Sequence, residues 1–274
     1  MATFQIDFYS NALKGIAPLT AILPVEIPEN IPGIEVKEKK EPFKTIYLLH
    51  GYSGSNNDWL HGSRIDFLAR IFQVAVIMPA GRNSFYLDDA IKDEYYERLV
   101  SEEIVEFSRK VFPLSHERED TTIGGLSMGG YGAIRNGLKH SDVFGSIFAF
   151  SSALITDKTA QMKEGDGNPV MAPFSYYRHV FGDLDKLVGS DKDPKALAKK
   201  LADSGSDIPK IFMACGTEDF LIGENRDFHR HLTDLGIDHE YRESPGIHDW
   251  VFWDAYIEKA MEWLYGKPKL PIGL

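Results

Sequence analysis

The chain has 274 residues, a hydrophobic fraction of 43% and a formal net charge of -11. That is ample apolar content for one α/β domain, and the acidic balance argues against nucleic acid or an anionic membrane surface as partner. The single cysteine, Cys215, excludes an intrachain disulfide and a cysteine metal cluster, and its apolar run, Ile211-Phe212-Met213-Ala214-Cys215, predicts a buried structural thiol.

Residues 1–8 lack a basic segment followed by an apolar one, so no signal peptide is expected. No stretch is apolar enough to span a bilayer as a helix, and the expected location is cytoplasmic. Residues 3–9 and 19–23 read as an antiparallel pair at a sheet edge, joined by a turn around Asn11 to Gly15. Pro24, Pro28 and Pro32 then mark an exposed connection. Short apolar, β-branched or aromatic runs follow at 45–49, 74–78, 121–125, 146–150, 210–215 and 239–244, the pattern of buried parallel strands. Helical patterns lie between them. Val100, Ile104, Phe107 and Val111 form one apolar stripe, and Trp250, Trp253, Ile257 and Met261 another; both read as core. The alternation predicts one α/β domain over 1–274, a mostly parallel central sheet flanked by helices.

One connection is far longer than a crossover helix needs. Between Ser151 and Pro209 the chain carries Gly165, Gly167, Pro169, Pro173 and the aromatics Phe174, Tyr176, Tyr177 and Phe181. It leaves the C-terminal edge of a predicted strand, where ligands bind in open α/β sheets. Residues of about 152–208 are therefore expected to form a cap-like insertion over the site. Its aromatic bulk would wall one side of the pocket and favour acetyl to butyryl chains.

The stretch Thr121-Thr122-Ile123-Gly124-Gly125-Leu126-Ser127-Met128-Gly129-Gly130-Tyr131-Gly132 contains G-x-S-x-G between an apolar strand and a helical pattern. That context fits a nucleophile elbow: a tight turn lifts the Ser127 hydroxyl clear, and the backbone N–H of Met128 faces a developing oxyanion. A serine hydroxyl needs a base. Of nine histidines, His248 has the right setting, in Ser244-Pro245-Gly246-Ile247-His248-Asp249-Trp250 after the last strand. The acid that orients it should follow the preceding strand, in Gly216-Thr217-Glu218-Asp219. Asp219 is the first choice, Glu218 the second and Asp249 the third. A second oxyanion donor is expected in Leu48-Leu49-His50-Gly51-Tyr52-Ser53, the N–H of Tyr52, with His50 holding the loop. The order Ser127, Asp219, His248 is that of the α/β-hydrolases.

On four motifs the chain resembles the esterase D branch of the α/β-hydrolases, and within it the bacterial tributyrin esterases. These are Leu48-Leu49-His50-Gly51, Gly125-Leu126-Ser127-Met128-Gly129-Gly130-Tyr131-Gly132, Cys215-Gly216-Thr217-Glu218-Asp219-Phe220-Leu221 and Pro245-Gly246-Ile247-His248-Asp249-Trp250. The resemblance covers nearly the whole chain and implies a serine carboxylesterase of short-chain esters with a Ser127–His248–Asp219 triad. It implies no cofactor and no metal, a small-molecule ester as partner, and a homo-oligomer as one option. Feruloyl esterases, acetylxylan esterases and S-formylglutathione hydrolases are relatives of the same branch. After His50-Gly51 the chain reads Tyr52-Ser53, where S-formylglutathione hydrolases typically have Leu-Thr-Cys, which lowers the thioesterase reading. The non-enzymatic alternative is an α/β-hydrolase-fold protein that only binds a ligand; such proteins usually lose a triad member, and here all three candidates are present.

Overall fold

The computed structural model describes residues 1–25, 42–168, 170 and 172–268. Two nine-residue strands, β1 (Ala2–Ser10) and β2 (Gly15–Leu23), form the edge hairpin. Then come β3 (Lys44–Leu49), the helices α1 (Asp58–Gly62) and α2 (Ile65–Phe72), and β4 (Val74–Pro79). A π-helical turn at Leu99–Glu103 leads into α3 (Ile104–Val111). The centre is β5 (Thr121–Leu126), α4 (Met128–Lys139) and β6 (Ser146–Phe150). Beyond it lie α5 (Phe174–Phe181) and α6 (Pro194–Ser204), and then β7 (Lys210–Gly216), α7 (Ile222–Asp234), β8 (His239–Ser244) and α8 (Trp250–Tyr265).

The eight strands form one sheet in the order β1-β2-β4-β3-β5-β6-β7-β8. β2 is antiparallel to both β1 and β4, and every later pair is parallel. The strands alternate sides as the pleat requires. In β3, Tyr47 and Leu49 enter the core on one face, with Ile123, Ile147 and Met213, while Ile46 and Leu48 enter the other, with Phe148, Phe212 and Ile257. In β3 to β7, burial on both faces explains the continuous apolar runs; β8, expected to be another such strand, lies at the sheet edge, and all six of its residues, His239–Ser244, are only half-buried.

Helix ends follow local chemistry. Asp193 caps α6 by accepting from the N–H of Lys195, Pro194 opens it, and Gly205 closes it in the left-handed conformation at φ 68°. Asp249 caps α8 through the N–H of Phe252. Cys215 is fully buried, and burial pushes its thiol up to about 12, as a structural role requires.

Three other expectations need correction. Val111 is not core: it is 53% exposed, while Ile104, Val105 and Ser108 form the buried face of α3. The preceding π turn inserts an extra residue and rotates the face that follows. Pro24 is buried rather than exposed, because β2 runs directly into it; Pro28, Pro32 and Pro169 lie outside the described residues. Trp250 is not simply core, for reasons given with the site below.

Candidate active site

Register brings the site together. Leu49 pairs with Gly125, Leu126 with Phe150, and Gly216 with Ser244. The loops after β3, β5, β7 and β8 therefore emerge side by side along one edge of the sheet.

Ser127 occupies the turn between β5 and α4 at φ 54°, ψ -119°, a conformation L-residues avoid unless the surroundings impose it. The surroundings do impose it. The Ser127 N–H donates to the carbonyl of Phe150 at 2.9 Å, and its carbonyl accepts from Tyr131 and Ala153 at 3.0 and 2.9 Å. A Cβ at Gly129 would lie 2.5 Å from the carbonyl oxygen of Leu49 and 2.6 Å from that of His50; one at Gly125 would collide with Gly129. The helix can approach β3 this closely only if both positions are glycine. Met128, the first residue of α4, has an N–H with no acceptor inside the helix, and the helix dipole reinforces it toward an anion.

The loop after β3 is held by side chains below it. Trp59 Nε1 donates to the carbonyl of Leu49 at 2.9 Å, Tyr86 Oη to that of His50 at 2.9 Å, and the N–H of Ser53 donates to Asn83 Oδ1 at 2.7 Å. His50 is buried, with Nε2 accepting from the Gly81 N–H at 2.7 Å and Nδ1 2.7 Å from the carbonyl of Gly51. Burial lowers its basicity. Both ring nitrogens are engaged, so His50 supports the loop that carries Tyr52 and is not a base.

His248 Nδ1 lies 2.9 Å from Asp219 Oδ2. Burial alone would raise the Asp219 carboxyl, but hydrogen bonds from His248, the Leu221 N–H and Ser151 hold it below the usual carboxylate range. The carboxylate is therefore ionised at neutral pH and fixes the imidazole with Nε2 as the free nitrogen. The two other acids are used elsewhere. Glu218 Oε2 accepts from the Gly246 N–H at 2.6 Å, tying the two loops together, and Asp249 is the cap of α8. Among the three candidates, the structure puts Asp219 against the histidine.

Ser127, Met128, Tyr52 and His248 line one cleft of about 580 Å³. Its opposite wall comes from the 151–209 segment, through Ala153, Ile155, Ala172, Tyr176 and Tyr177. Phe181 does not reach it; it packs downward on Phe85 and Tyr131, with ring centroids 5.0 and 5.9 Å apart. Sequence reading missed the surroundings of the histidine. Phe220 lies 4.6 Å from its ring, and Trp253 stands perpendicular to it at 4.9 Å. Trp253 also donates through Nε1 to Ser151 Oγ at 3.1 Å. Trp250, half-buried, lines the cleft with Trp253. A tryptophan stripe at helical spacing reads as core whether or not its end opens on a cleft, so periodicity alone carries no such signal. Among the described residues no group of three or more His, Cys, Asp or Glu is placed to hold a metal, and no helix is long and apolar enough to cross a membrane.

Comparisons with known proteins agree with this architecture. Residues 25–264 match the Esterase family model, described as "Putative esterase". An acetyl esterase from Caldicellulosiruptor saccharolyticus is 52% identical over 264 residues, covering 96% of this chain and 98% of that protein. Among solved structures, substrate-bound FphF, a fluorophosphonate-binding serine hydrolase of Staphylococcus aureus, superposes with a TM-score of 0.82 at 29% identity, over 97% of this chain and 99% of that one. The apoenzyme of the S-formylglutathione hydrolase FrmB from the same organism gives 0.79 at 29% identity, over 96% and 98%. The chain thus belongs to the Esterase family and is a carboxylic ester hydrolase of the α/β-hydrolase fold.

Proposed function

We propose that the chain is a serine carboxylesterase that cleaves short-chain acyl esters through an acyl-enzyme intermediate. The observation that carries this reading is the contact between His248 Nδ1 and the buried Asp219 carboxylate, at the side of a cleft that Ser127 and His248 share. His248 takes the Ser127 proton as Oγ attacks the ester carbonyl, and returns it to the departing alkoxide. Asp219 stabilises the imidazolium formed in between. The N–H groups of Tyr52 and Met128 receive the oxyanion, each contributing about 3–4 kcal/mol to the transition state. A water activated by His248 then releases the acid. The name of the acetyl esterase relative and the tyrosines on the insertion side of the cleft support a short acyl group, the insertion acting as a cap.

The test is turnover of p-nitrophenyl acetate, with mass spectrometry after treatment with an organophosphate. The expected result is loss of turnover with one adduct, on Ser127. Persistent turnover of the treated enzyme, or an adduct elsewhere, overturns the assignment.

A further inference from the structure

Ser151 is a buried serine that the ester chemistry does not touch. It follows β6 directly, is fully buried and lies outside the lining of the cleft. Its backbone sits at φ 45°, a conformation that glycine adopts freely and other residues avoid. The surroundings fix it there. The Ser151 N–H donates to the carbonyl of Ala214 at 2.8 Å, carrying the β6–β7 pairing one residue further. The next residue is clamped by Asn225 of α7, itself fully buried. Asn225 Oδ1 accepts from the Ser152 N–H at 3.1 Å, and Nδ2 donates to the carbonyls of Ser152 and Leu221 at 3.0 and 2.8 Å. The Ala153 N–H then donates to the carbonyl of Ser127 at 2.9 Å. Residues 151–153 thus join the Ser127 turn to the loop that carries Asp219.

What serine adds at a position whose backbone suits glycine is a hydroxyl, and its neighbours decide where the hydroxyl proton goes. Trp253 Nε1 can only donate, and it gives its hydrogen to Ser151 Oγ at 3.1 Å. The Cys215 thiol bonds the same oxygen and keeps its proton, as a buried thiol does. Ser151 Oγ therefore receives from two neighbours, and its own hydrogen goes to the Asp219 carboxylate, the strongest acceptor within reach. Asp219 then holds three hydrogen bonds: from His248 Nδ1 to Oδ2 at 2.9 Å, from the Leu221 N–H to Oδ1 at 2.9 Å, and from Ser151. A carboxylate held by one bond turns about its last side-chain torsion, which has no sharp minimum. The two further donors fix which oxygen faces the imidazole. Trp253 closes the ring of contacts: its indole stands perpendicular to the His248 ring at 4.9 Å while its N–H holds Ser151.

We propose that Ser151 is a positioning residue for the ester hydrolysis: its hydroxyl turns the Asp219 carboxylate toward His248, and Trp253 orients that hydroxyl. The proposal rests on the acid role of Asp219, and its test keeps the two apart. kcat and KM for p-nitrophenyl acetate are measured on the wild type, Ser151→Ala, Ser151→Gly, Asp219→Asn and the double variant that combines Ser151→Gly with Asp219→Asn. Glycine takes the backbone conformation of Ser151 without strain, so Ser151→Gly carries the test even if Ser151→Ala does not fold. The expected kcat of each single Ser151 variant is about ten- to hundredfold lower, as loss of one hydrogen bond to a charged group predicts. KM stays unchanged, because Ser151 does not face the substrate. In the Asp219→Asn background the same Ser151→Gly change should lower kcat less than about threefold, since a residue that acts through the carboxylate has nothing left to orient. An equal loss with and without Asp219→Asn marks a residue that only packs and overturns the proposal, as does a loss carried by KM. A large loss in Asp219→Asn beside wild-type kcat in folded Ser151→Gly removes the proposal alone. Wild-type kcat in Asp219→Asn removes the acid assignment, and the proposal with it.

Discussion

The cleft has two walls of different construction. One is made by backbone at the ends of parallel strands: the Ser127 turn, the Tyr52 loop and the loops of Asp219 and His248. Sheet register sets it, and glycines with no room for a Cβ lock it. The other is made by side chains from the 151–209 segment, chiefly Tyr176 and Tyr177. It is joined to the first wall through α4. Arg135 on that helix is buried and pairs with Glu97 and with Asp191, 2.9 Å away in the insertion; Lys139 contacts the same two acids. The difference separates two jobs. On the proposed mechanism the rigid wall places the reacting atoms, so changes there should lower turnover of every ester. The side-chain wall should change the ranking of esters and leave the chemistry in place.

The largest expected effect is at the rigid wall. Ser127→Ala should lower kcat on the order of 10⁵–10⁶-fold with an unchanged circular dichroism spectrum. A folded variant with near wild-type rates would remove Ser127 from the mechanism. Asp219→Asn should follow, with a loss on the order of 10⁴-fold in kcat, because the amide favours the wrong imidazole tautomer. Glu218→Gln should lose less than about tenfold, since Glu218 bonds a loop and not the histidine. The reverse ranking of these two variants would reassign the acid.

The link between the walls gives a smaller effect, in stability. Glu97 is held well below its ordinary value of 4.5: burial opposes this, but hydrogen bonds with His140 and Lys139 and the adjacent Arg135 outweigh it. The folded state therefore binds fewer protons here than the unfolded one. The contribution is complete above the unfolded pKa near 4.5 and fades as pH falls through the lower folded value. Glu97→Gln should cost about 3 kcal/mol at pH 7, because it removes one partner of a buried Arg135. Urea denaturation at pH 7 and pH 3 checks this; a difference that stays constant between the two would show that the charge of Glu97 does not matter.

The smallest effect belongs to the side-chain wall. Along a p-nitrophenyl series from acetate to laurate, below micelle-forming concentrations, kcat/KM should fall beyond butyrate. Tyr177→Ala should move the optimum toward longer chains, each added methylene gaining up to about 0.8 kcal/mol where room is made. A wild-type maximum at octanoate or longer would show that this wall does not close the acyl site.

Much of the rigid wall was legible in the sequence because its determinants are local. Strand runs such as 45–49 and 146–150 carry their burial in composition, and Gly125-Leu126-Ser127-Met128-Gly129 specifies a turn whose φ and ψ follow from steric exclusion. Loop order after consecutive strands then predicted Ser127, His248 and Tyr52 at one edge. Side-chain direction within a loop is a different matter. Glu218, Asp219 and Asp249 are equivalent carboxylates on paper. Only the folded chain brings the Gly246 N–H to Glu218, the end of α8 to Asp249 and the imidazole to Asp219. In the same way, periodicity marked Trp250 and Trp253 as apolar without saying that their ends open on the cleft, and it could not see the π turn that rotates Val111 into solvent. Composition and backbone sterics act between neighbours in sequence and can be read there; hydrogen bonds and ring contacts between residues from different loops exist only once the sheet has brought those loops side by side.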